Sequence, residues 1–286
     1  MQHLEMTADE LVSALLGLAE TETVCILDSC GVGHLGSHLL IAGIEPISVN
    51  EISGKTVEET LSFFNEAISE KSIASIFTIS YDFGKRLLNI SSEKADGIEP
   101  DIFLAQFDTL IIHDYNTGKT NIVGNADRFD DIQSKLISNT GKFNSGFPLL
   151  DVEVRSNFTK AEYLSAIAII KEQIRDGNTY QTNLTQQLSA KLPDGLTPQI
   201  IFHRLRRDHP APFAAFIKRL NSTVVSASPE RFFRIDAATR KISTSPIKGT
   251  RPRGANPTED AALRDALLNS EKDRAENTMK IGRAHV

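Results

Sequence analysis

Ile242 to Gly254 read Ile-Ser-Thr-Ser-Pro-Ile-Lys-Gly-Thr-Arg-Pro-Arg-Gly, which sets Lys248 beside Gly249 with Arg251 and Arg253 close behind. Lysine and arginine side chains grouped in this way suit carboxylate or phosphate ligands. Gly249 carries no Cβ, so backbone can approach a ligand closely there. Pro246 and Pro252 stiffen the flanks. A solvated basic turn after a strand would use the same residues. Two stretches that carry carboxylates bracket the turn: Ser228-Pro229-Glu230 before it and Lys272-Asp273-Arg274-Ala275-Glu276-Asn277 after it.

The elements that must hold these residues are legible in the periodicity. Thr7/Glu10, Thr56/Glu59 and Thr159/Glu162 are capping boxes, each followed by apolar residues at helical spacing. Thr197-Pro198 opens another helix, and Asn256, Pro257 and Glu259 cap the helix expected to carry Glu276. Thr23–Leu27, Ser37–Ala42, Ile73–Ser80, Leu110–His113, Asn121–Gly124 and Tyr180–Leu184 read as strands, and Ala211–Phe216 opens the strands leading to Glu230. Strands following one another as hairpins, with helices set between groups, predict an α+β fold with antiparallel sheets. Asp28–Gly36 is a turn with Gly31, Gly33 and Gly36, but a strand follows it, so it fails as a dinucleotide fingerprint. Ser29 in that turn is a candidate for capping its own backbone. His113, alone in a strand pattern, is given no catalytic role. Thr140–Pro148, rich in Gly, Asn and Ser, marks the boundary between a segment 1–148 and a segment from 149 onward.

The bulk properties narrow the class. The chain has 286 residues, 40% of them hydrophobic, and a net charge of −6, which disfavours a nucleic-acid partner. Its two cysteines, Cys25 and Cys30, have no metal-ligand spacing and read as reduced thiols of a cytoplasmic protein. No apolar run is long enough to span a membrane, and the N-terminus has no signal-peptide pattern.

Ser228-Pro229-Glu230, Pro246-Ile247-Lys248-Gly249-Thr250 and Lys272 to Asn277 together resemble the chorismate-utilising enzymes. The resemblance is most specific across Tyr180–Met279 and continues upstream through Leu27-Asp28-Ser29, Ser80 to Gly84 and Ile111 to Asp114. Within that family the pattern is nearest to the aminodeoxychorismate synthase component I group. It implies an α+β sandwich of antiparallel sheets with helices, in which the two ends of the chain interleave, and amination of chorismate at C4 in p-aminobenzoate and folate biosynthesis. It also implies ammonia delivered by a glutamine amidotransferase subunit. Residues 1–148 would be the anthranilate synthase component I N-terminal-like segment, and 149–279 the first part of the chorismate-binding catalytic domain.

By the same resemblance, Glu230 is the general acid for the leaving hydroxyl and needs a raised pKa. Lys248 is the nucleophile, with a pKa lowered by burial or a neighbouring cation. Gly249 and Thr250 bind substrate, Glu276 is a ligand of Mg²⁺ with Asp273 in support, and Ser29 belongs to a tryptophan pocket. The alternatives are plain: Glu230 paired with Arg231, Lys248 as a non-covalent carboxylate binder, and Glu276 on an exposed helix beside Lys272. Anthranilate synthase component I, which aminates C2, usually has alanine where this chain has Lys248. A non-catalytic, tryptophan-binding relative is the rival from another class. The family pattern stops at Met279, so residues 280–286 read as a non-native tail, the second magnesium glutamate and a catalytic histidine fall beyond the chain, and the chain as given is expected to be inactive.

Overall fold

The computed structural model describes residues 1–33, 38–68, 72–90, 99–144, 146 and 152–282. Part of the Asp28–Gly36 turn, part of the Thr140–Pro148 boundary and the last residues of the 280–286 stretch therefore lie outside the described residues. The chain divides into two units, Met1–Asn144 with Phe202–Val286, and Ser145–Ile201.

The elements of the first part of the chain are β1 (Gln2–Leu4), α1 (Ala8–Leu18), β2 (Val24–Asp28), β3 (Leu39–Ile44), β4 (Ser48–Ile52), α2 (Val57–Ile68), β5 (Ala74–Ile79), α3 (Tyr81–Leu87), β6 (Ile102–Phe107), β7 (Thr109–Asp114), β8 (Lys119–Gly124) and α4 (Phe129–Asn139). Then follow β9 (Val154–Ser156), α5 (Lys160–Arg175), β10 (Leu188–Ala190), α6 (Pro198–Asp208), β11 (Phe213–Lys218), β12 (Thr223–Ser228), β13 (Arg234–Ile235), β14 (Ile242–Ser243), α7 (Pro257–Leu268) and α8 (Glu271–Gly282).

The larger unit is built on a seven-stranded sheet of order β1-β8-β7-β3-β2-β11-β12, and its pairings are antiparallel. Central β2 pairs β3 on one side and β11 on the other, with Ile26 opposite both Ala42 and Phe216. Strands from before and after residue 148 thus share one sheet. Side chains alternate across it. Val24 and Ile26 join Leu11, Leu15, Ile132, Leu136, Phe202 and Phe216 on the face covered by α1, α4 and α6. Cys25, Leu110 and Ile217 face the other way, onto Ile76, Phe103, Ala105 and Phe107. Those last four belong to a three-stranded antiparallel sheet, β4-β6-β5. Its far side packs Ile52, Phe83 and Ile102 against Val57, Phe63 and Phe64 of α2. The result is the expected α+β sandwich of antiparallel sheets with helices outside. Each fully buried large side chain, such as Phe103 at 0% exposure, contributes roughly 1.5–3 kcal/mol. Gly43 is required by the inter-sheet packing, because a Cβ there would stand 2.5 Å from the Phe107 ring.

The helix starts follow local rules. Thr7 accepts from Glu10 N while Glu10 reaches back to Thr7 N, and Thr56/Glu59 repeat the exchange. In the smaller unit, Thr159 and Glu162 cap α5 in the same manner, and β9 pairs β10 antiparallel. The expected strand Tyr180–Leu184 does not form. A strand needs a ladder partner for its backbone, and in this unit β9 pairs instead with the later Leu188–Ala190.

Candidate active site

Glu230 follows β12 in a turn shaped by Ser228, whose hydroxyl donates to the Glu230 carbonyl at 3.0 Å. The Glu230 carboxylate then crosses to the stretch after β14. Its Oε1 accepts from the Ile247 backbone N at 3.3 Å and from Lys280 Nζ at 2.5 Å. Lys280 Nζ lies 3.5 Å from the Ile247 carbonyl. The backbone next to Lys248 is therefore tied to the carboxylate expected to act with it. Arg231, the partner weighed for Glu230, lays its guanidinium 5.3 Å from the centre of the Phe213 ring. Glu230, Arg231, Phe232, Phe233, Ile242, Thr244, Pro246 and Lys280 line a cavity of about 610 Å³. Lys248 is not among the described residues lining it, and its ammonium has no hydrogen-bond or ion-pair partner among them.

Gly249 takes φ +75°, the left-handed region that a residue with Cβ avoids. A Cβ at this position would stand 2.8 Å from Asp273 Cγ and 2.8 Å from Leu267 Cδ1. Thr250 is exposed, and its carbonyl accepts from Arg251 Nη1 at 2.8 Å. The two arginines are already engaged. Arg251 pairs with Asp273 at 3.1 Å, and Arg253 grips both oxygens of Asp260 at 2.7 and 2.8 Å. The free basic patch expected from the sequence is thus reduced to Lys248.

Asn256 does cap a helix, accepting from Glu259 N at 2.9 Å, but that helix is α7, not the one carrying Glu276. Asn269 ends α7, its side chain donating to the Asp265 carbonyl at 2.9 Å, and Ser270 starts α8 by accepting from Asp273 N at 3.3 Å. Residues three and four apart share a helix face, so Asp273, Glu276 and Lys280 line one side of α8. Asp273 meets Gly249 and Arg251, and Lys280 meets Ile247 and Glu230. Glu276 sits between those two contacts in the helical register. The buried Asn277 Oδ1 beside it has no hydrogen-bond partner. Asp273 turns to Arg251 and Ser270, and Glu276 is the next carboxylate along this face. Among the described residues no group of three or more His, Cys, Asp or Glu side chains could hold a metal ion by itself. One carboxylate completed by substrate oxygens and water is nonetheless a usual set for Mg²⁺, and Glu276 fits that limited role.

Ser29 lies at the end of β2, 2% exposed, and its hydroxyl is buried without a partner. It does not cap its own backbone; the Asp28 carboxylate does so, accepting from Cys30 N at 2.8 Å. Ser29 lines a second cavity, about 540 Å³, with Leu27, Leu39, Pro212, Phe213 and Arg231 among its walls. Beneath it lies a cluster that sequence reasoning missed. Asp28 also accepts from Tyr115 Oη at 2.8 Å and from Arg206 Nε at 2.7 Å, and Arg206 reaches Asp9 at 2.6 Å. Burial opposes the Arg206 charge, yet the Asp28 carboxylate beside it holds its pKa above the ordinary value. Burial and then the Asp28 charge push the Cys30 thiol up to about 11, and burial pushes Cys25 to about 12. Both cysteines are free. Buried His113 is structural: its Nδ1 lies 2.8 Å from Thr120 Oγ1, which donates to the Met6 carbonyl. No helix among the described residues is long and apolar enough to cross a membrane.

A profile of chorismate binding enzymes matches residues 31–283. An aminodeoxychorismate synthase of Streptomyces griseus is 51% identical over 119 residues, covering 42% of this chain and 16% of that protein. An aminodeoxychorismate synthase component 1 of Klebsiella aerogenes is 34% identical over 205 residues, 70% of this chain and 44% of its own. An anthranilate synthase component 1 of Haloarcula marismortui is 33% identical, over 71% of this chain and 45% of that protein. The crystal structure of anthranilate synthase component I from Streptococcus pneumoniae superposes with a TM-score of 0.69 at 17% identity, covering 88% of this chain and 61% of that one. The chain spans less than half the length of these curated relatives. With the profile running through Glu230, Lys248 and Glu276, the chain belongs to the chorismate binding enzyme family.

Proposed function

We propose that the protein aminates chorismate at C4, giving 4-amino-4-deoxychorismate for p-aminobenzoate and folate synthesis in the cytoplasm. The observation that carries this reading is the bond from Ile247 N to Glu230 Oε1, which sets a carboxyl one residue from an unpartnered lysine. In the proposed reaction Glu230, released from Lys280 and protonated, delivers its proton to the departing C4 hydroxyl, which leaves as water. Lys248 Nζ, as the free amine, bonds to C2 as the ring double bond shifts. Ammonia then bonds to C4, the double bond returns, and the lysine amine is released. Gly249 and Thr250 would bind the substrate through backbone and hydroxyl.

Glu276 would hold Mg²⁺, which neutralises a substrate carboxylate when bound. Ammonia would come from a glutamine amidotransferase subunit, in keeping with the "component 1" of the relatives' names. The orphaned Ser29 hydroxyl supports tryptophan as a candidate ligand of the second cavity. Residues 1–148 would serve as the N-terminal segment and 149–279 as the start of the catalytic domain.

The test is mass spectrometry of the intact protein quenched during turnover of chorismate with ammonia. A chorismate-derived adduct on the peptide containing Lys248, absent from Lys248→Ala, is expected. Full activity in Lys248→Ala without an adduct would remove the covalent role, and tryptophan binding without any turnover would favour a non-catalytic relative.

A further inference from the structure

The stretch from Pro246 to Gly254 belongs to no helix or strand, yet it must present Lys248 in one place. Two carboxylates from two helices hold it. Asp260, in the first turn of α7, accepts from Arg253 Nε at 2.7 Å, Arg253 Nη2 at 2.8 Å and Gly254 N at 2.9 Å. The helix backbone also fills the space beside Gly254, where a Cβ would stand 2.2 Å from Asp260 N. Those bonds, the Arg253 fork first, bring the Asp260 carboxyl down to about 2. Asp273, in the first turn of α8, pairs with Arg251 and occupies the space over Gly249. Residues on both sides of Lys248 are therefore anchored, Ile247 by Glu230 and Gly249 by Asp273, while the Lys248 side chain is left without a partner among the described residues.

We infer that Asp273 and Asp260 are positioning residues: through Arg251, Gly249 and the Arg253 fork they fix the backbone that aims Lys248. This rests on the reading of Lys248 as the reacting amine. It gives Asp273 a task other than support of a magnesium ion. Neither carboxylate needs to touch substrate. Their contribution is orientation, and misplacement of a reacting group by about an ångström costs on the order of a hundredfold in rate.

The experiment compares wild type, Asp273→Asn, Arg251→Gln and Asp260→Asn in the intact protein, by amide hydrogen exchange and by steady-state kinetics with chorismate and ammonia. Exchange across residues 247–254 is expected to quicken by about tenfold in each variant, with β2 and β7 unchanged, since local openings are separable from global unfolding. Turnover is expected to fall by about a hundredfold with KM for chorismate moved by less than about twofold. The reversed pair, Arg251→Asp with Asp273→Arg, should recover much of the lost turnover. Arg251→Gln, which alters only the loop side of the pair, covers the case in which a helix variant fails to fold. Unchanged loop exchange, or quickened exchange that extends to β2 and β7, would overturn the inference. So would a KM that rises with turnover intact. If loop exchange responds but the wild type aminates nothing, the functional reading fails and the anchoring stands. If the wild type is active and neither exchange nor turnover responds, the anchoring fails alone.

Discussion

Two clusters at the same end of strands β2, β11 and β12 are held by opposite means. At the end of β2, Asp28, Tyr115 and Arg206 form a network with the Asp28 side chain at 0% exposure and Arg206 at 14%. Beyond β12, Glu230 and Lys280 form a pair at 30% and 34% exposure, and Arg253 of the Asp260 fork is 90% exposed. A buried charge network tolerates no loss of a member, because the remaining charge has no water to turn to. A half-exposed pair can lose a member to solvent and rearrange. The molecule thus keeps its rigid polar network in the scaffold and lets the chemistry-bearing stretch rest on exchangeable contacts, as functional segments tend to do.

Removing a charge from the scaffold should have the largest effect on stability. Arg206→Ala leaves the Asp28 carboxylate buried without a counter-charge, and should destabilise the larger unit by about 3–5 kcal/mol in denaturant melts. A loss under about 1 kcal/mol would mean that the network is no more than a surface pair. Next comes Gly43→Ala in β3. The Cβ must displace the Phe107 ring that it would meet at 2.5 Å, and overpacking of this kind costs about 1–3 kcal/mol. An unaltered melt would show that the two sheets can slide apart there. At the site the pattern should invert. Glu276→Gln should leave the melt unchanged but weaken the magnesium dependence of turnover and nearly abolish turnover itself, since a hard cation loses an anionic oxygen. Magnesium dependence equal to wild type would make Glu276 a helix-surface residue.

The smallest effect concerns pH. The Arg253 fork, then Gly254 N, depress the Asp260 carboxyl to about 2, against an ordinary value of 3.8. A depressed folded-state pKa adds stability fully present above the ordinary value and lost as pH falls through the folded one. The Asp260 clasp should therefore hold throughout the neutral range and release only near pH 2. Arg253→Ala should bring the Asp260 titration, followed by carbon-detected NMR, back toward 3.8. A midpoint that stays near 2 would assign the depression to the Gly254 amide alone.

What the sequence made legible was local. Thr7 with Glu10 and Thr159 with Glu162 act over one helical turn, so their capping needs no tertiary knowledge. The β7–β8 hairpin is similarly announced by its Asp114-to-Lys119 turn. The break between α7 and α8 has its own signal, Ser270 followed by Asp273, but the caps from Asn256 to Glu259 point to a single helix running on to Glu276. Asp28 and Arg206 are 178 positions apart, and nothing local marks either as the other's partner. The same holds for Arg253 and Asp260: the basic turn was visible, but its neutralisation depends on how α7 folds back over it. Tyr180–Leu184 has strand-like composition, but among the described residues of its unit the ladder joins β9 to β10, so composition alone misled. The residues of the candidate site were named from the motifs; the bond between Glu230 and Ile247 N required the fold.

The central claim is that Lys248 directs ammonia to C4, and the identity of the amino product tests it most directly. Intact protein given chorismate, Mg²⁺ and ammonia, with products separated by chromatography, should yield 4-amino-4-deoxychorismate. Lys248→Ala should turn over far more slowly, with an unchanged melt and with its residual product shifted toward the 2-amino isomer. A wild-type product that is mainly the 2-amino isomer, or accumulation of anthranilate, would contradict the account.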